Sequence, residues 1–232
     1  MIRFSLLLLC LSISSLNAVP LKSIPISKLH NKKILYFNGS FDPIHNGHLE
    51  IAQNALQHVD YVIMFANHGN HSRKPNRLPA NHRRNMLELA CKSHKKILTT
   101  HMNALQLQRY LKLLHNVEYF GVEGMDVYKE FEAAAHLDKI YLRGITIPPE
   151  EAEHSKSPMM VVNATKMLIV PRDNHAKVPK KFLNDRPVIR LPAVSGSFSS
   201  TKIRNNVSTK AQIQNMTPQA VIDYIHRHKL YR

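Results

Sequence analysis

Short apolar runs alternate with segments of helical periodicity along most of the chain. Short runs rich in apolar and β-forming residues, typical of strands, occur at residues 34–37, 61–65, 97–99, 119–122, 139–142, 159–170 and 188–191. Apolar residues spaced three or four apart predict helices at residues 47–57, 82–93, 104–114 and 125–135, with two more from residue 199 and over 218–228. Strands that alternate with helices of this length predict βαβ units, and therefore a parallel sheet covered by helices.

The domain organisation follows from the same pattern. The 232 residues suffice for one α/β domain, and no internal repeat interrupts the alternation. Residues 146–158 and 171–187 are loops by composition. We interpret both as surface insertions in a single domain over residues 33–232, preceded by a polar lead-in over residues 19–32.

The first 18 residues have the composition of a signal peptide. Arg3 precedes an apolar run over residues 4–13, and Ala18 offers a small residue for cleavage. The run is too short to span a bilayer. We expect export from a bacterial cytoplasm to the periplasm or the medium, with no membrane span left after cleavage. A buried core helix or an uncleaved anchor are the alternatives, and an unused signal would leave the protein cytoplasmic.

The net charge narrows the classes of partner. The 32 Lys and Arg residues outnumber 16 Asp and Glu residues, a formal net charge of +16. Such a surface attracts polyanions: nucleic acid, anionic lipid or small phosphate compounds. Cleavage after Ala18 leaves Cys91 as the only cysteine, which excludes an intrachain disulfide.

The most informative stretch, residues 38–49 (NGSFDPIHNGHL), follows the first predicted strand and opens the first predicted helix. In an open parallel sheet this turn borders the ligand crevice, and a helix N-terminus favours an anion. Gly39 allows close approach of a phosphate, and His45 and His48 are spaced to donate hydrogen bonds to one. The same histidines are alternatively metal ligands, or capping and core residues.

A second polar cluster opens a later helix. Ser199, Ser200 and Thr201 bring hydroxyls to a predicted helix start, and Arg204 follows one turn later. Free N–H groups, hydroxyls and a guanidinium form a phosphate cradle. The alternative is an ordinary capped surface helix with a solvated arginine.

Residues 38–49 resemble the G-G-S/T-F-D-P-x-H-x-G-H-L signature of the HxGH nucleotidyltransferase superfamily. Within it, the chain most resembles the nicotinate-mononucleotide adenylyltransferases. Residues 83–90 (RRNMLELA) resemble that family's R-x-x-M-L-x-L-A helix, 124–126 its G-x-D turn, 198–204 (FSSTKIR) its I-S-S-T-x-I-R motif and 218–231 its closing helix. The likeness covers about residues 33–232 and implies a Rossmann-like parallel sheet with helices on both faces.

The resemblance implies that AMP passes from ATP to nicotinate or nicotinamide mononucleotide, with release of pyrophosphate. It assigns catalysis to His45, His48 and Arg204, and Mg²⁺ to the ATP phosphates. It assigns nucleotide binding to Gly39, Ser40, Phe41, Gly124, Asp126, Ser199, Ser200, Thr201 and Arg204, with Arg73 or Lys74 as the basic residue after the second strand.

Two alternatives stay open at this point. One is an enzyme of the same superfamily with another phosphate acceptor. The other is a non-catalytic, basic, exported protein that binds nucleotides or nucleic acid. We expect ATP and a mononucleotide as ligands and no stable nucleic-acid partner, because no compact nucleic-acid motif is visible. The sequence makes no prediction of oligomeric state.

Overall fold

A seven-stranded sheet forms the centre of the computed structural model, which describes residues 26–67, 76–102, 104–126, 129, 164–182, 185–208 and 210–232. Its strands are β1 (Lys33–Gly39), β2 (Tyr61–Ala66), β3 (Ile97–Thr99), β4 (Glu118–Gly124), β5 (Lys166–Val170), β6 (Lys181–Phe182) and β7 (Arg186–Arg190). They lie in the order β3-β2-β1-β4-β5-β7-β6. Six strands are parallel, and β6 pairs antiparallel with β7.

Helices follow most of the strands. Their bounds are α1 (Asn46–Ala55), α2 (Ala80–Cys91), α3 (Ala104–Leu111), α4 (Ser200–Asn205), α5 (Lys210–Ile213) and α6 (Gln219–Arg227), preceded by a single 3₁₀ turn (Ile26–Leu29). Leu29 of that turn is fully buried, so the packed structure includes part of the predicted lead-in.

The core lies on both faces of the sheet. Alternate residues of β1 serve the two faces: Leu35 and Phe37 pack with side chains of α1, α2 and α6, whereas Ile34 and Tyr36 pack on the side of α3. Successive strand residues point to opposite faces, so a strand buried on both sides must be continuously apolar. This confirms the predicted Rossmann-like parallel sheet with helices on both faces.

The strand order reverses beside β1. The chain moves outward from β1 to β2 and β3, then returns to place β4 on the other side of β1. A ligand crevice forms at such a switch point, outside the carboxyl ends of the strands. The segments 38–49 and 124–126 singled out in the sequence lie at the carboxyl ends of the neighbouring parallel strands β1 and β4.

The predicted loop over residues 171–187 is wrong in part, because it contains β6 and the start of β7. β6 has only two residues, which pair with Arg186 and Pro187. A strand of two residues is too short to show an alternation of apolar and polar residues. The proline in its partner strand also argues against a strand, because proline is rare inside sheets. The elements predicted between residues 130 and 163 lie outside the described residues.

None of the helices within the described ranges has both the length and the apolar composition needed to cross a membrane. Residues 1–25 lie outside those ranges, so the signal peptide stays a prediction.

Candidate active site

Two histidines open α1 and cap each other. The His45 side chain accepts a hydrogen bond from the His48 backbone N–H at 3.3 Å, and His48 Nδ1 accepts one from the His45 N–H at 3.2 Å. Their rings stack with centroids 3.6 Å apart. Because Nδ1 of each ring is an acceptor, the neutral form of each carries its proton on Nε2. The capping role, which the sequence left open as an alternative, is therefore real, and Nε2–H of each neutral ring is a hydrogen-bond donor.

Burial controls the charge of the first histidine. It lowers the pKa of His45 to about 4, so this imidazole is neutral at physiological pH. A neutral ring protonated on Nε2 remains a hydrogen-bond donor.

The Phe41 ring supports His48 from the other side. It meets the His48 ring edge-on at 5.0 Å and Phe37 at 5.5 Å. Phe41 itself has a left-handed backbone with φ 44°. A Cβ on Gly39 would lie 3.0 Å from the Phe41 ring. Glycine is therefore needed at position 39 to admit this ring, a reason that sequence reasoning did not give.

The carbonyl groups of residues 40–44 are held by side chains from distant parts of the chain. Arg83 donates to Ser40 O at 2.6 Å, Arg204 to Asp42 O at 2.7 Å, Ser200 to Pro43 O at 2.8 Å and Thr217 to Ile44 O at 2.8 Å. Four of the five consecutive carbonyls thus have a fixed direction.

The structure brings the two signature segments together, as two of these contacts show. Ser199 caps α4 by accepting the Lys202 N–H, while the Ser200 hydroxyl donates to Pro43 O. Thr201 Oγ1 accepts a hydrogen bond from Arg204, whose other amino group binds Asp42 O. The Ser199 and Ser200 hydroxyls therefore hold the backbone, and Arg204 keeps further N–H donors because a guanidinium has five.

Phe198 fills the junction between α1 and α4. Its ring stacks beside His45 at 6.2 Å. A Cβ on Gly47 would lie 3.0 Å from this ring, and one on Gly196 would lie 2.5 Å from it. Both glycines thus make room for one aromatic ring that couples the two helix beginnings.

A carboxylate on α1 fastens the loop before α4. Glu50 accepts the Ser195 N–H at 2.8 Å and the Ser195 hydroxyl at 2.9 Å. This bidentate contact fixes the approach of the chain to Phe198.

Asp42 has a structural role, as Asp-Pro in a turn suggests. Its side chain accepts hydrogen bonds from the Tyr231 hydroxyl at 2.8 Å and from the Leu78 N–H at 3.4 Å, and the residue is 6% exposed. The same contact and burial raise the pKa of Tyr231 well above its ordinary value.

Gly124 and Asp126 lie at the carboxyl end of β4, at the same edge of the sheet as the loop after β1. Asp126 forms a two-pronged ion pair with Arg172, which follows β5, at 2.7 to 3.1 Å. The hydrogen bonds from Arg172 lower the pKa of Asp126. Neither residue makes a described contact with the two histidines.

Sequence reasoning missed two arginines of this region. Arg83, 1% exposed, donates to Ser40 O, to Asn67 O at 2.6 Å and to Leu78 O at 2.8 Å. Burial lowers its pKa to about 10, so it stays charged at neutral pH. Arg77 donates to the Ser40 hydroxyl at 3.4 Å. Arg73 and Lys74, the basic residues predicted for this loop, lie outside the described residues.

Metal-ligating side chains do not converge in the described part of the chain: it contains no group of three or more His, Cys, Asp or Glu residues arranged around one point.

Comparison with protein families matches residues 36–206 to the cytidylyltransferase-like family. Among individual relatives, the probable nicotinate-nucleotide adenylyltransferase of Clostridium tetani is 24% identical, over 87% of this chain and 100% of its own. The protein of the same name from Clostridium kluyveri is 27% identical over 84% of this chain and 97% of its own.

Solved structures share the fold. Nicotinic acid mononucleotide adenylyltransferase of Plasmodium falciparum, solved with APC and with NaAD, superposes with a TM-score of 0.56 at 18% identity, over 86% of this chain and 97% of that one. The matched family segment runs from within β1 to just past α4 and so includes both signatures. The chain therefore belongs to the cytidylyltransferase-like family and is a nucleotidyltransferase of the HxGH superfamily.

Proposed function

We propose that this nucleotidyltransferase transfers AMP from ATP to nicotinate or nicotinamide mononucleotide, and thereby forms a pyridine dinucleotide. The observation that carries the proposal is the junction of the two signatures, where Ser200 and Arg204 bind the carbonyls of Pro43 and Asp42. The relatives support a pyridine mononucleotide as the acceptor, because they are named probable nicotinate-nucleotide adenylyltransferases.

The reaction needs positioning more than proton transfer. A phosphate oxygen of the mononucleotide attacks the α-phosphorus of ATP in line, and the bond from that phosphorus to the β-phosphate oxygen breaks. The nucleophile is already an anion and pyrophosphate leaves with the bonding electron pair, so no strong base is required. Fixed donors that stabilise the developing charge supply most of the rate enhancement.

We assign that stabilisation to the histidine pair. His48 donates to the ATP phosphates as charge develops at the α-phosphorus, and His45 acts beside it. Burial keeps His45 neutral, and the mutual caps fix the proton of each neutral ring on Nε2. Backbone N–H groups of Ser40 and Phe41 hold nucleotide phosphate, with Gly39 making room for the Phe41 ring.

The second signature, residues 198–204, is assigned to the β- and γ-phosphates of ATP. Arg204 and Thr201 at the start of α4 hold the β- and γ-phosphates, and Ser199 and Ser200 hold α4 in place. Mg²⁺ fits this site only if phosphate oxygens and water are its main ligands. The nearby Asp42 carboxylate is already taken up by Tyr231 and Leu78. When bound, the cation would neutralise charge on the phosphates.

Gly124 and Asp126 are assigned to the ribose or adenine end of the nucleotide. Among the described residues, no atom lies within 4 Å of a Cβ added at Gly124. Arg172 holds the Asp126 carboxylate by both oxygens. The assignment of Arg73 or Lys74 to the phosphates stays a prediction.

Pyrophosphate release from ATP tests the proposal. The chain from residue 19 to 232 is assayed with each pyridine mononucleotide and with phosphopantetheine and polyol phosphates as other acceptors. We expect turnover with a pyridine mononucleotide, and a loss of at least about a hundredfold in His48→Ala, the typical effect of removing one transition-state donor. His94→Ala, at the opposite edge of the sheet, is the matched control.

Faster turnover with another acceptor would favour the alternative of an enzyme of the same superfamily with a different phosphate acceptor. No turnover with any acceptor, together with salt-sensitive DNA binding, would favour the non-catalytic alternative.

A further inference from the structure

We propose that Arg83 is a positioning residue that turns the Phe41 N–H toward the nucleotide phosphate. The proposal rests on the proposed function, since it takes nucleotide phosphate as the ligand of this amide. It adds a side chain that acts through the backbone.

The argument starts from the geometry of a peptide unit. In a trans peptide, the carbonyl of one residue and the N–H of the next point in opposite directions within one plane. Arg83 holds the Ser40 carbonyl from the side of α2, so the Phe41 N–H points away from Arg83. Ser200 holds the Pro43 carbonyl in the same way, but the Ile44 N–H belongs to the turn over residues 42–43 and is directed at the Phe41 carbonyl.

The Phe41 N–H is a donor without a described acceptor. Among the described backbone contacts it donates no hydrogen bond to the protein, and Phe41 is 2% exposed. Buried backbone N–H groups are nearly always paired, because an unpaired one loses its hydrogen bond to water. An unpaired donor beside the two capping histidines indicates a site for an anion.

The left-handed backbone of Phe41 adds to this evidence. A bulky residue with φ 44° is strained and persists only where its surroundings enforce it. The Phe41 ring is fixed against Phe37 and His48, and the preceding carbonyl is fixed by Arg83. The fold thus holds this amide in one direction before a ligand arrives.

Only arginine can make the three contacts of Arg83 together. Its planar guanidinium reaches carbonyls of three separate residues, Ser40 after β1, Asn67 after β2, and Leu78 before α2. A lysine ammonium keeps the charge but is a single nitrogen, so it cannot span three acceptors in this arrangement. Arg83→Lys therefore preserves the charge and releases part of the clamp.

Amide NMR of the ¹⁵N-labelled enzyme tests the proposal directly. The probe is an ATP analogue with a methylene group between the α- and β-phosphorus atoms. In the native enzyme we expect the Phe41 amide proton to shift downfield on saturation. In Arg83→Lys this response shrinks, whereas in Ser200→Ala, which releases the Pro43 carbonyl instead, it persists.

Kinetics provide a second measurement. We expect Arg83→Lys to lower kcat by about a hundredfold, as for the loss of one preorganised donor, with a smaller change in KM because other phosphate contacts remain. Arg84→Lys, the same change one position along α2, is the control and should keep native rates.

Each outcome decides the matter. A native Phe41 amide that does not respond to the analogue overturns the proposal even if the enzyme releases pyrophosphate. Equal loss of the Phe41 response in Arg83→Lys and in Ser200→Ala, with a lower Tm, reduces Arg83 to a structural residue. If Arg83→Lys does not fold, the native titration decides. A Phe41 amide that responds in a protein without turnover leaves the positioning intact and refutes the proposed function instead.

Discussion

At the scale of single residues, His45 and His48 cap the start of α1 and are also the residues that we assign to catalysis. Each imidazole accepts the backbone N–H of the other residue, so both rings are fixed and their centroids lie 3.6 Å apart. Stacked rings this close disfavour a charge on both. The pair therefore resists a double positive charge, and burial keeps His45 neutral.

The first prediction concerns the pH dependence of stability. Burial lowers the pKa of His45 from 6.5 to about 4. Between these two pH values the imidazole is protonated in the unfolded chain and neutral in the folded chain. The contribution of His45 to the free energy of unfolding should be complete above pH 6.5. The free energy of unfolding should then fall by roughly 1–3 kcal/mol as the pH falls toward 4. Denaturant titrations across this range measure it.

His45→Asn is the matched variant, because asparagine also caps helices well. Its stability should depend less on pH between 6.5 and 4. Parallel curves for the two proteins would contradict the assigned pKa.

At the scale of elements, the packing of α4 against α1 assembles the site. The ring of Phe198 lies between Gly47 and Gly196 and beside His45. Glu50 holds the preceding loop through Ser195. The site is thus defined by how two helix beginnings fit around one side chain.

The second prediction concerns Gly47→Ala. Helix propensity alone would favour alanine by about 1 kcal/mol. Here the new Cβ meets Phe198 at 3.0 Å, and Gly196 closes the other side of the ring. We expect a net destabilisation of about 1–3 kcal/mol, as for overpacked cores.

A double-mutant cycle checks this explanation. Phe198→Leu should remove most of the cost of Gly47→Ala, whereas Gly124→Ala, in open space, should change stability by less than about 0.5 kcal/mol. Additive effects of Gly47→Ala and Phe198→Leu would show that the ring is not the cause.

Periodicity and motifs predicted the elements and the two signatures, but not the contacts between them. β1 and α1 are visible because an apolar run and a helical spacing flank residues 38–49. The Arg83 clamp is invisible because its partners are carbonyls, which every residue has. In the loop after β2 the structure adds Arg77, which donates to Ser40. Arg73 and Lys74 lie outside the described residues, so their assignment stays a prediction.

At the scale of the whole molecule, the end of the fold returns to its beginning. Tyr231, after α6, donates its hydroxyl to Asp42 in the loop after β1, and Thr217 donates to Ile44. The loop at the switch point is therefore anchored by segments from most of the chain.

The third prediction concerns Tyr231→Phe, which leaves a buried carboxylate short of one donor. We expect a destabilisation of about 1–3 kcal/mol. Tyr61→Phe, on a half-buried tyrosine, is the control. Because the pKa of Tyr231 is raised in the folded state, its contribution is present below pH 10.0 and lost above it. The native protein should lose its advantage over the variant in alkaline denaturant titrations; an undiminished advantage there would contradict this contact.

The fourth prediction concerns export. Full-length protein produced in a bacterium should appear outside the cytoplasm with residue 19 as its new N-terminus, which fractionation and N-terminal sequencing detect. Leu8→Arg interrupts the apolar run and should keep the uncleaved chain inside. An intact N-terminus in the native protein would refute cleavage.

The order in which the ribosome makes these contacts has a consequence for biogenesis. The peptide that binds phosphate in our proposal is translated early, but Ser200, Arg204, Thr217 and Tyr231, which set its shape, emerge late. A nascent polypeptide therefore cannot give this loop its final shape until Tyr231 has been synthesised. Folding of the loop must wait for residues that are translated long after it.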